Sequence, residues 1–112
     1  MTTQNPHIDA NAYLDSVIKL YINLPDTPVK PSPNDRFTAA SFLAHGIPLN
    51  IIEAALLLAS VRRLARPDDA APLPPVRSLA YFAPVVRELS ASPLPDGYLL
   101  YLSHKLNRLA SH

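Results

Sequence analysis

Arg62, Arg63 and Arg66 close one apolar stretch of the sequence, and Tyr98, Tyr101, Lys105 and Arg108 recur at three- and four-residue spacing in another. Guanidinium and ammonium groups pair with phosphate oxygens, and a tyrosine ring offers a face on which an unpaired base can stack. The chemistry these residues suit is nucleic-acid contact. They also suit structural work. Cations in a last helical turn complement the helix dipole and its unpaired carbonyls. A row of tyrosines and long cations can cover the rim of a core while its polar heads reach water.

Reaction chemistry has far less to stand on. The nine acidic residues are dispersed, and no two share a helical face at the spacing of an acid–base pair. Asp68 and Asp69 are adjacent, but they sit in a proline-rich loop and read as solvated. His7, His45, His104 and His112 form no H-x₃-H or HExxH pattern, so no metal site is expected. His45, just before Gly46, reads as a helix C-terminal cap. Two glycines exclude a P-loop and a GxGxxG fingerprint, and zero cysteines exclude disulfide and thiolate chemistry. The expectation is a non-enzymatic protein with no cofactor, metal or small-molecule substrate.

With 112 residues, 48% of them hydrophobic and 17% charged, the chain reads as a single domain over residues 1–112 with one modest core. The net charge of +1 is unevenly spread: residues 35–66 and 97–112 each carry +2, and residues 67–96 carry −2. MTTQNPHIDA at the start has neither a basic nor an apolar signal region, and the longest apolar run, residues 54–59, is too short to span a bilayer. A cytoplasmic protein with no membrane partner is expected.

The thirteen prolines fall in clusters that cut the chain into five helical segments. An all-α fold is expected, a compact bundle of about five helices with proline-rich connections. The first helix starts after Asp9 as N-cap and carries Leu14, Val17, Ile18 and Tyr21 on one stripe. PDTPVKPSP, residues 25–33, reads as a stiff, polyproline-like crossing. Ser32, Pro33 and Asp35 start the second helix with a capping-box pattern, and Gly46 ends it. The third helix, residues 49–64, is apolar on nearly every face and belongs at the centre. After RPDDAAPLPPV, residues 66–76, a fourth helix over about 76–89 carries Leu79, Phe82, Val86 and Leu89 on one face, with a kink or break at Pro84. SASPLPDG, residues 90–97, precedes the last helix, about 97–110.

The second and third helices, joined at Gly46, resemble a helix-turn-helix, with Phe42 and Leu43 before the turn and Ile47, Ile52 and Leu56 after it. A recognition helix reads base edges with polar residues of its first turns. This one opens Pro48-Leu49-Asn50-Ile51-Ile52-Glu53, with its arginines at the far end. Any DNA contact from the unit would be phosphate anchoring, and a plain αα-hairpin fits the same residues. The last helix has a second stripe, Leu99, Leu102, Leu106 and Leu109, which could zip to another copy or dock on this chain's own core.

HGIPLNIIEAALLLASVRR followed by PLPPVRSLAYFAPVVREL resembles a segment of small proteins of bacterial mobile elements that accompany or form part of replication-initiator-type proteins. The likeness is carried by the Gly46 turn with Ile47 and Pro48, by Arg62-Arg63, and by Arg77-Ser78-Leu79 with Tyr81-Phe82 and Pro84. It implies a helical accessory or DNA-contacting module in which Arg62, Arg63 and Arg77 face phosphates. Two functions are thus expected as rivals. One is nucleic-acid contact, DNA above all, through Arg62, Arg63, Arg66, Arg77, Lys105 and Arg108 with Tyr98 and Tyr101. The other is a protein-interaction module that pairs with a second copy or a helical partner through the leucine stripe.

Overall fold

A third helix that is apolar all round can be satisfied only by neighbours on several sides, and the fold supplies them. The structure, a computed structural model, describes residues 6–111 and the side chains of residues 10–111. Its helices are α1 Pro6–Ile22, α2 Pro33–Ala44, α3 Leu49–Leu64, α4 Ala83–Ala91 and α5 Tyr98–Ala110, with a 3₁₀ turn at Leu79–Phe82 before α4. There is no strand among the described residues. Ile52, Ala55, Leu56 and Ala59 of α3 join the main core with Val17 and Tyr21 of α1, Phe42 of α2, Phe82 of the 3₁₀ turn and Leu89 of α4. On another side of α3, Val61 forms a second cluster with Leu102 and Leu106 of α5. Burying each of those two leucines contributes about 1.5–3 kcal/mol, enough to hold α5 to the domain. Among the described residues no helix is long and apolar enough to cross a membrane.

α2 ends as its sequence demands. Gly46 adopts φ +69°, its N–H donates to the Leu43 carbonyl, and the Ile47 N–H donates to Phe42, which together make a Schellman motif. His45 adds its ring, with Nδ1 2.7 Å from the Ser41 carbonyl. The Tyr13 hydroxyl of α1 donates to the Ile47 carbonyl at 2.6 Å and pins this turn.

The other end of α2 reaches further than a capping box. Asp35 is 1% exposed. One carboxylate oxygen accepts the Ser32 N–H at 2.9 Å, the reciprocal half of the box, and the other accepts the Leu79 N–H at 3.0 Å. One buried side chain thus fastens the start of α2 to the start of the 3₁₀ turn.

Three expectations are corrected. α1 already runs from Pro6, so Asp9 lies inside the helix and does not cap it; its side chain and those of His7 and His112 lie outside the described residues. Residues 25–33 open with a turn, in which Asp26 has φ +63°, bend again at Val29 and Lys30, and end in α2 at Pro33, so they are not one straight crossing. No single helix spans 76–89: residues 71–78 are neither helix nor strand, a 3₁₀ turn comes next, and α4 starts at Ala83 with Pro84 in its first turn. Proline is acceptable there because the first helical N–H groups have no partner to lose.

Tyr21 is fully buried and its hydroxyl has no hydrogen-bond partner. Burial, helped by the negative charge of Asp35, pushes its pKa up to about 12. Because the folded pKa lies above the unfolded value near 10, this group's contribution is intact below pH 10 and is lost as pH rises towards 12. The full swing is about 2–3 kcal/mol. Tyr21→Phe should therefore equal or exceed wild-type stability at pH 7 and lose less stability between pH 10 and pH 12. Urea unfolding of both proteins at the two pH values checks it.

Candidate nucleic-acid interface

The three arginines at the end of α3 point in different directions because successive positions on a helix lie 100° apart. Arg62 reaches α4 and makes a two-pronged pair with Glu88, at 2.9 and 2.8 Å. Hydrogen bonding from that guanidinium holds the Glu88 carboxyl below the ordinary carboxylate range. Both side chains are about half exposed. Arg63 is nearly enclosed, with 7% of its side chain exposed. It donates to the Pro74 carbonyl at 2.9 Å and the Tyr81 hydroxyl at 3.1 Å, and lies 3.5 Å from an Asp26 carboxylate oxygen. Its guanidinium also sits 5.3 Å from the Tyr81 ring centre. Arg66 donates to the Ala71 carbonyl at 2.8 Å.

Arg62, Arg63 and Arg66, expected as nucleic-acid contacts, are each engaged by oxygens of the chain itself. Carbonyl and carboxylate oxygens of the same chain occupy the donors that phosphate would use. Arg63 and Arg66 are fasteners for residues 71–78, and Arg62 is a half-exposed tie between α3 and α4. Arg77 is exposed, but it lines a groove with Pro74, Pro75 and Tyr81. The structure places it on the proline segment, apart from the α5 row.

α3 is packed on several sides, with its opening residues Leu49 and Asn50 exposed. Asn50 and Glu53, its first polar residues, line a groove shared with Lys19 and Asn23 of α1 and Asn107 of α5. α1, α4 and α5 pack around the rest of the helix.

α5 presents a different picture. Leu102 and Leu106 are buried against α3, and Leu99 and Leu109 are half-buried beside the two cores. Of the two readings of the leucine stripe, the structure shows docking on the chain's own core. Its opposite face is the one left outside. Tyr98, Leu100 and Tyr101 are 37%, 65% and 46% exposed. The Tyr98 and Tyr101 rings lie 5.1 Å apart at a 41° tilt. Lys105 Nζ stands 5.8 Å from the Tyr101 ring centre and donates to its hydroxyl at 3.4 Å. Arg108 is exposed further along the helix. Residues 98–110 contain no acid, and among the described residues neither Lys105 nor Arg108 has an acidic partner.

Leu100 and His104 join this face, lining a shallow hollow with Tyr101, Asn107 and Arg108. Neither is among the contact residues expected from sequence, although positions 97, 100, 101, 104 and 108 share helical spacing that could have found them. Among the described residues, no three histidine, aspartate or glutamate side chains gather as a metal-binding group. Compared with protein-family models, curated proteins and solved structures, the chain has no match.

Proposed function

We propose that this chain is a small, non-enzymatic helical module that contacts nucleic acid, DNA in the first place, through the outward face of α5. Tyr98 and Tyr101 offer rings to bases, and Lys105 and Arg108 pair with phosphates. The carrying observation is that Tyr98, Tyr101 and Arg108 are exposed, Lys105 is half-buried beside the Tyr101 ring, and among the described residues neither cation has an acidic partner, whereas the α3 arginines are held by oxygens of the chain itself. Anisotropy of a labelled oligonucleotide, titrated at several salt concentrations, tests it. Two phosphate contacts predict that log affinity falls against log salt with a slope of about −1.4 on single strands and −1.8 on duplex. No binding at low salt, or binding indifferent to salt, refutes the reading.

A second reading is favoured by the order of the same row. Antiparallel pairing of two α5 helices about Ser103 sets Tyr98 against the partner's Arg108 and Tyr101 against the partner's Lys105. Such ring–cation contacts contribute about 0.5–2 kcal/mol each. Self-association would then use this row in place of the leucines. Sedimentation should show a dimer that Tyr101→Ser dissociates; a monomer at every concentration removes this reading.

A further inference from the structure

We propose that residues 71–78 form a ready-made polyproline ligand for a partner domain with an aromatic-lined groove and a carboxylate at one end of it. This site is independent of the α5 face. Pro72, Pro74 and Pro75 fix their own φ near −65°, and a following proline holds Ala71, Leu73 and Pro74 extended. Such a run is a left-handed helix of three residues per turn rising about 3.1 Å per residue.

That period sorts the segment into edges. Leu73 and Val76 share the inner one. Val76 is buried in the main core, and its N–H donates to the Asp26 carbonyl at 2.9 Å. Leu73, still 41% exposed, lines a hollow with Arg63, Arg66 and Tyr81. The carbonyls of Ala71 and Pro74, one turn apart, are held by Arg66 and Arg63. The segment is thus fastened at Val76 and at the Ala71 and Pro74 carbonyls.

Pro72 and Pro75 are exposed on one edge, and Ala71, Pro74 and Arg77 are exposed on the next. Among the described residues Arg77 has no acidic partner. Domains that read this helix stack aromatic rings on alternate prolines. An acid beside such a groove would meet Arg77 and set the direction of the ligand, which is the charge the partner must supply. Because its prolines and the Arg63, Arg66 and Val76 contacts already restrict the segment, binding loses little conformational freedom.

The test uses an isolated SH3 domain selective for P-x-x-P-x-[K/R] ligands, titrated into the ¹⁵N-labelled full chain. Shift changes should centre on residues 71–78 and Tyr81. Arg77→Glu, an exposed change that leaves the fold intact, should weaken binding at least about tenfold. A free peptide of residues 69–79 should bind about threefold or more weaker than the intact protein, since it must be ordered first. No shifts at millimolar domain, equal affinity of Arg77→Glu, or a peptide that binds as well as the protein would each overturn the proposal.

Discussion

Asp35→Ala should lower the unfolding free energy by about 3–5 kcal/mol, a large share of the 5–15 kcal/mol typical of a small domain. The carboxylate is buried and accepts two backbone N–H groups, those of Ser32 and Leu79, which are 47 residues apart in sequence. Removing it leaves two donors with no acceptor, each costing about 1–3 kcal/mol when water cannot reach them. It also unties the 3₁₀ turn from α2, and that turn delivers Leu79 and Phe82 to the core. Asp35→Asn keeps the shape and one accepting oxygen but turns an amine towards the second N–H, so an intermediate loss is expected. Urea unfolding followed by circular dichroism checks the series. A loss below about 1 kcal/mol for the alanine variant would mean that water or another acceptor replaces the carboxylate.

Neighbouring arginines should give unequal results. Arg63→Met keeps the aliphatic stem and removes a nearly enclosed head that binds the Pro74 carbonyl, the Tyr81 hydroxyl and the Tyr81 ring. The expected loss is about 2–3 kcal/mol, combining charge-assisted hydrogen bonds with a ring–cation contact. The orphaned Arg63 Nε keeps the figure from being larger. Arg62→Met removes a two-pronged pair that is half exposed, and such surface pairs contribute about 1 kcal/mol or less. The same unfolding measurement on both variants checks the contrast; equal losses would mean that Arg63 is not the fastener its surroundings indicate. Proteolysis within residues 66–78 should accelerate in the Arg63 variant alone.

Much of this architecture is legible from periodicity. The stripe Leu14, Val17, Ile18, Tyr21 and the all-round apolar α3 fix which faces are buried, and Ser32 with Asp35 marks where α2 starts. The Gly46 stop is equally plain. Pro84 is ambiguous in sequence because proline suits both a kink and a first turn, and only the packing of Leu79 and Phe82 decides between them. That Asp35 also holds Leu79 depends on a contact 44 residues distant, which no local pattern encodes. The arginines show the deeper limit. A guanidinium at a helix end seeks oxygen, and phosphate, carboxylate and strap carbonyl are alike in that respect. Two of the three met oxygens brought by a proline segment whose path is set far away, at Asp26 and Val76. Both α5 stripes are visible in the sequence, but which one turns inward depends on the leucine-bearing side of α3.

One titration decides between the α5 face and the α3 arginines as the nucleic-acid contact: the affinity of a single oligonucleotide for wild type, Arg63→Met, and Lys105→Glu with Arg108→Glu, at a temperature where all three are folded. The α5 account predicts that the Arg63 variant binds within about twofold of wild type while the double variant loses at least about tenfold, since two phosphate contacts become repulsive. The reverse order, with Arg63→Met abolishing binding and the α5 variant unaffected, would contradict it.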